Sequence, residues 1–227
     1  MTETKTEQLL WQRRSVRGYH DTPVPRDAVT RILCAARRAP SGANLQPGRF
    51  HVLTGAPFEG LKGALALAVA EKRPMVAQYS YFPQPMPADL KARQRTAGYA
   101  LYHALGIERR DIAGRKAQFD KNYRFFDAPV GIVVTIQKDM GKGCFMDLGM
   151  SLMALFLAAE DLGYGTSGIG ALANYADVVQ QTLDLPDDEL VVCGVALGRT
   201  DEDAKVNTVR TERDELNIFT SFRGFDT

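Results

Sequence analysis

The run CFMDLGMSLMALFLAAEDLG, from Cys144 to Gly163, leaves the chain few ways to fold. Leu148, Leu152, Leu155, Ala159 and Leu162 recur at helical spacing and mark one face. Met150, Met153, Phe156 and Leu157 make the remaining circumference apolar too. A helix that is greasy all round has to be covered on all sides. In a chain of 227 residues, a second subunit can supply that cover as readily as a core can. The sequence predicts a helix from Phe145 to Leu162, buried on every side, and an obligate homodimer with it.

The other segments are shorter. TEQLLWQRR reads as an opening helix. Pro25 begins a second, with Val29, Ile32, Leu33 and Ala36 at helical spacing, and it stops before Pro40. Strand signals cover Arg49 to Gly55, VGIVVTI after Pro129, and ELVVCGVALG. Helices are expected from Phe58 to Lys72, as a pair over Ala88 to Phe125, and from Tyr175 to Leu183. Between them PMVAQYSYFPQPMP, Pro74 to Pro87, is proline-broken and aromatic, and is read as a surface loop or lid carrying Tyr79, Tyr81 and Phe82. Helices alternating with few strands indicate α/β or α+β. The end, NIFTSFRGF, has three phenylalanines that water would penalise, so the tail is expected to dock.

Composition excludes some roles. A formal net charge of +1 argues against nucleic acid or an acidic membrane as the main partner. The opening MTETKTEQLL lacks the basic and apolar regions of a signal peptide, and no apolar run is read as long enough for a span, so a cytoplasmic location is expected. Cys34, Cys144 and Cys193 are far apart, form no CxxC, and read as small apolar residues in a reducing compartment. No metal site is expected, and the three histidines form no ligand pattern.

The motifs are fewer than an enzyme usually shows. GYGTSG satisfies GxGxxG through Gly163, Gly165 and Gly168, but it follows the apolar helix where a dinucleotide fingerprint follows a strand. It reads as a helix-ending glycine turning into an extended segment, or as glycines that let backbone N–H groups approach a flat ligand. RRSVR places three arginines in five residues, Arg13, Arg14 and Arg17, around Ser15. Guanidinium forks suit phosphate oxygens; a solvated basic helix end is the plain alternative. APSGANLQP holds Ser41, Asn44 and Gln46 in a turn-rich loop. No Ser-His-Asp set, carboxylate pair or P-loop is visible, which points to a cofactor carrying the chemistry.

RRSVRGY, PVPRDAVTRILCAARRAPSGANLQPGRFHVLTG, DAPVGIVVTI, DLGMSLMALFLAAEDLGYGTSGIG and VVCGVALG, in that order, resemble the FMN-dependent nitroreductase family over nearly the whole chain. The middle and the end are similar to its nitrobenzoate reductase branch. The resemblance implies an α+β fold over residues 1–227: a mixed, largely antiparallel sheet wrapped by helices, in an intertwined homodimer. Residues 74–126 would form a helical and lid excursion, and 199–227 an arm onto the partner subunit. By the same resemblance Arg13, Arg14 and Ser15 would hold the FMN phosphate and ribityl chain, with Arg210 returning to the phosphate. Arg17 would approach the N1/O2 edge of the flavin. Pro40, Ser41, Gly42 and Asn44 would pack on the ring from the other subunit, and Gly168, Ile169 and Gly170 would lie beside N5. The implied reaction is ping-pong hydride transfer from NADH or NADPH to a nitroaromatic or quinone-like acceptor. Other flavin chemistry, or flavin binding without turnover, is the alternative.

Overall fold

The computed structural model describes residues 2–225, so the last two positions of the expected arm, Asp226 and Thr227, lie outside it. The helices are α1 (Lys5–Gln12), α2 (Arg26–Ala36), α3 (Gly55–Ala70), α4 (Ala88–Ala104), α5 (Ile112–Asp120), α6 (Lys142–Asp161), α7 (Ala176–Leu183) and the short α8 (Leu216–Phe219). The strands are β1 (Arg49–Leu53), β2 (Val130–Gln137), β3 (Gly165–Ile169) and β4 (Glu189–Gly198). They form one sheet in the order β1-β2-β4-β3, with every strand pair antiparallel. The parallel pairings described are isolated bridges, Ser15 with Thr166 and Val76 with Tyr175.

The two central strands are buried on both faces, which is why β2 and β4 read as continuous apolar runs rather than as alternation. On β2, Val133 faces one core while Ile132, Val134 and Ile136 face the other. On β4 the phase changes part-way: Leu190 and Val192 share a face with Cys193, Val195 and Leu197. The cause is a one-residue irregularity in the ladder, where Val134 pairs Cys193 but Thr135 pairs Val191. An extra residue moves every later side chain to the opposite face.

One core lies under α3, α7 and the tight turn Lys121–Asp127, with Phe58 edge-on to Phe125 at 5.1 Å between centroids. The other lies under α2 and α6, where the Ser151 hydroxyl donates to the Ala36 carbonyl at 2.8 Å. That α2–α6 contact uses a single face of α6: Leu148, Ser151, Leu155 and Ala159. The expectation of burial all round is thus corrected within one chain. Met146 is 70% and Met150 42% exposed, because α2 and the sheet lie on the other side of the helix and no described residue covers these two. A second correction concerns length. Among the described residues α6 is long and apolar enough, by length and composition, to cross a membrane, with a mean hydropathy of 1.4.

Helix ends differ modestly from the sequence reading. The predicted Ala88–Phe125 pair ends at Asp120, since Phe125 and Phe126 adopt left-handed φ of 52° and 54° to bury both rings. Among the described residues the aromatic end of the tail is left uncovered, with Leu216, Ile218, Phe219, Phe222 and Phe225 exposed, although Asp214 pairs with Arg93 of α4 at 2.8 Å. Of the cysteines, Cys193 is buried as expected, its thiol pushed up to about 12 by desolvation, but Cys34 is exposed.

Candidate active site

The arginine segment begins where α1 ends. Thr4 caps that helix reciprocally: the Glu7 N–H donates to its Oγ1 at 3.3 Å, and the Thr4 N–H donates to Glu7 Oε2 at 2.7 Å. Beyond Gln12 the chain runs extended beside β3. The Val16 N–H donates to the Thr166 carbonyl at 2.9 Å, which occupies part of that sheet edge. Val16 points into the protein, while Arg13, Arg14 and Arg17 are half-buried.

The two leading guanidiniums are incompletely satisfied. Nε of Arg13 and Nε of Arg14 are buried with no hydrogen-bond partner among the described residues. Arg14 also meets the Glu202 carboxylate through Nη2. Glu160, in the last turn of α6, lies among these groups. Burial pushes its carboxyl above the ordinary range; Arg14, Arg13 and Arg210 pull it down, and Glu202 raises it further. Arg210, distant in sequence, therefore reaches the same locality, where its guanidinium also donates to the Asn207 carbonyl at 3.1 Å. The buried, unpartnered nitrogens fit a phosphate, whose oxygens are acceptors only.

Arg17 is not among the charges that act on Glu160. Its backbone N–H donates to Asn207 Oδ1 at 2.8 Å and its guanidinium to the Ser15 carbonyl at 3.3 Å, 5.7 Å from the Phe126 ring centroid. Burial lowers its pKa, with Tyr19 opposing. A partly desolvated, permanently charged fork projects a stronger field than a solvated one.

Gly168, Ile169 and Gly170 end β3 and open the turn that follows. Gly163, with φ of 77°, stops α6 just ahead of the strand, as the helix-ending reading of GYGTSG requires. The aromatic loop comes down on this segment. A Cβ on Gly170 would lie 2.8 Å from Tyr81 Cε2, so glycine is what allows the ring this close. Between them is a cavity of about 650 Å³. Phe119 from α5 and Asn174 also line it, and neither stood out in the sequence.

The loop Pro40–Asn44 is elsewhere. The Gly42 N–H donates to Asp147 Oδ2 at 3.0 Å, near the beginning of α6. Glu160 is near its end, about 20 Å further along the axis at 1.5 Å per residue. One chain therefore does not bring Pro40, Ser41, Gly42 and Asn44 onto the arginine cluster.

That loop is strained and braced. Ala43, Asn44 and Gln46 hold φ of 49°, 56° and 49°. The Gln46 N–H donates to Ser41 Oγ at 2.9 Å. Arg37 donates to the carbonyls of Gln46 at 2.7 Å and Gly48 at 3.1 Å.

A further polar cluster escaped the sequence reading. Glu189, buried at the start of β4, accepts from Arg49 at 2.6 Å, Thr135 at 2.5 Å and His51 at 3.0 Å. Burial raises its pKa, but those hydrogen bonds and charges outweigh burial and hold it below the ordinary carboxylate value.

The sequence profile of the Nitroreductase family matches residues 10–199. The chain belongs to the nitroreductase family. It is 36% identical to a 4-nitrobenzoate reductase of Pseudomonas putida, over 96% of this chain and 95% of the other. It is also 36% identical to a nitrobenzene nitroreductase of Ectopseudomonas oleovorans, over 95% and 96%. Among solved structures, the nitroreductase NfnB from Sphigopyxis sp. strain HMH, described as FMN- and NADPH-dependent, superposes with a TM-score of 0.95 at 36% identity, covering 98% of this chain and all (100%) of that one. The nitroreductase fold expected from the resemblance is therefore the one observed.

Proposed function

We propose that this nitroreductase-family chain is an FMN-dependent oxidoreductase that takes electrons from NADH or NADPH and passes them to nitroaromatic or quinone-like acceptors in alternate half-reactions. The observation that carries the reading is the pair of buried Nε atoms of Arg13 and Arg14, unpartnered among the described residues, on the segment that bridges β3 at Thr166. Relatives of 36% identity named as nitroreductases, and a neighbour described as FMN- and NADPH-dependent, support it.

FMN, when bound, would supply the hydride-accepting and hydride-donating chemistry. Arg13, Arg14 and Ser15 would hold its phosphate and ribityl chain, with Arg210 closing on the phosphate. Arg17 would place fixed positive charge at one edge of the ring, where a preoriented cation favours added negative charge. Gly168, Ile169 and Gly170 would lie along the ring, one of their backbone N–H groups donating to it. Tyr81 and its neighbours would cover the acceptor and keep water away. Protons would come from solvent, which suits a site without an evident acid.

The working unit in this reading is a homodimer in the cytoplasm. A second copy would cover Met146 and Met150 on α6, receive the phenylalanine-rich tail, and contribute Pro40, Ser41, Gly42 and Asn44 to the ring. Obligate interfaces of this kind bury more than about 2,000 Å².

The test is direct. The purified protein should be yellow, hold about one noncovalent FMN per chain, bleach with NADPH or NADH, and recolour with nitrobenzene. A colourless protein that FMN cannot reconstitute refutes the proposal, and a flavin-loaded monomer in light scattering refutes the dimer.

A further inference from the structure

The cavity between the aromatic loop and Gly170 is walled by Tyr79, Tyr81, Phe82 and Phe119, with the side-chain amides of Gln84 and Asn174 at its margin. None of its eleven lining residues is Asp, Glu, Lys, Arg or His. Several of its polar groups are already committed within the chain. The Tyr79 hydroxyl donates to the Val192 carbonyl at 2.6 Å, and burial pushes its phenol well up, so it stays neutral. The Ser80 hydroxyl donates to the Phe82 carbonyl at 2.9 Å, and the Asn174 amide donates to the Tyr123 hydroxyl at 3.2 Å.

Tyr81, Phe82 and Phe119 are 63%, 50% and 44% exposed, so an aromatic carboxylate entering between them gives up part of its water, and it meets no cation from the wall in return. A nitro group, a carbonyl or an amide has no net charge to desolvate. The two relatives above, equally identical at 36%, are named for opposite cases, 4-nitrobenzoate and nitrobenzene, so overall similarity does not choose between them. The composition of the cavity wall does.

We propose that this cavity selects uncharged aromatic rings over aromatic carboxylates. The inference rests on the flavin reading only in treating the cavity as the acceptor site; its charge preference is a property of the wall itself.

Two measurements on the full-length, flavin-loaded protein test it. In steady state with NADPH, kcat/KM for nitrobenzene should exceed that for 4-nitrobenzoate at least tenfold, with the difference mainly in KM. In calorimetric titrations without turnover, benzamide should bind at least tenfold more tightly than benzoate. The titration keeps two failures apart, since a protein without nitroreductase activity would still show the benzamide preference if the wall behaves as described. Gln84→Arg, at an exposed margin position, should narrow both ratios at least threefold by giving a carboxylate its partner. Equal or tighter binding of benzoate overturns the proposal, as does equal or better turnover of 4-nitrobenzoate. Ratios unmoved by Gln84→Arg would show that charge is not what the cavity reads.

Discussion

Replacing Arg37 by alanine should loosen FMN without unfolding the protein. The guanidinium donates to two backbone carbonyls of the strained loop, Gln46 at 2.7 Å and Gly48 at 3.1 Å. Charged hydrogen bonds contribute roughly 1.5–3 kcal/mol each when well shielded, but Arg37 is exposed and water replaces part of the loss, so about 1–2 kcal/mol for the pair is the working figure. Against it stands the left-handed backbone at Ala43, Asn44 and Gln46. Each such residue costs roughly 1–2 kcal/mol, Asn least, for a total of about 3–5 kcal/mol. The Ser41 and Asp147 contacts supply the other braces, so strain and support nearly balance. Losing about 1–2 kcal/mol from a balanced loop lowers its ordered fraction from about a half to about a tenth, and the apparent Kd for FMN rises about fivefold. The loop is largely exposed, so Tm should fall by less than about 4 °C. Fluorescence titration of apoprotein with FMN reads the first quantity and calorimetry the second. Gln46→Gly in the Arg37→Ala background should restore affinity by relieving strain. FMN binding within twofold of the parent in Arg37→Ala would refute the reasoning, because the loop would then be irrelevant to flavin or held without Arg37.

Glu160→Gln removes a carboxylate that competes with phosphate for Arg13, Arg14 and Arg210, and should tighten FMN by about fivefold near neutral pH, or about 1 kcal/mol. Because burial raises the Glu160 pKa, the parent should itself bind FMN more tightly as pH falls through that raised value, and a variant with the parent's pH profile would contradict this. Glu189 has the opposite sign: its folded pKa is depressed, so its stabilisation is present above the ordinary value of 4.5 and lost as pH falls through the lower folded value. Urea midpoints of the parent and Glu189→Gln should therefore differ most at neutral pH and converge in acid, and a gap independent of pH would refute the assignment. Gly170→Ala places a methyl 2.8 Å from Tyr81 and should raise the acceptor KM severalfold with FMN content intact; an unchanged KM would remove Tyr81 from the acceptor site.

Much of this architecture is readable from local pattern. The α6 signal is a periodicity, β2 holds the β-branched run Ile132–Ile136, and RRSVR is a charge density too high for its surroundings. What stayed hidden depends on contacts far apart in sequence. Arg37 looks like one basic residue beside another in ARRAP, and its task is visible only when the carbonyls of Gln46 and Gly48 turn toward it. His51 on β1 and Glu189 on β4 are separated by 138 positions and share no motif, yet the sheet places them 3.0 Å apart across the intervening β2. The phase change on β4 has no local signature either, since valine, cysteine and leucine suit both faces. The all-round greasiness of α6 was legible as a demand for cover, but a sequence does not say whether the cover belongs to the same chain.

The sheet order has a consequence for how the protein comes into being. β4 is the last strand to leave the ribosome, yet it pairs on one side with β2 and on the other with β3, whose strand pairing is with β4 alone. Until residue 198 is available, β1 and β2 can form only a two-stranded ribbon, which is marginal in water. The Tyr19–Thr200 bridge shows the N-terminal segment meeting chain made still later. The N-terminal segment synthesised first is thus seated among the last, and α6, complete at residue 161, has to wait until residue 198 is made before the sheet beneath it can close. Truncations ending before Gly198 should engage chaperones rather than yield a smaller flavin-binding core.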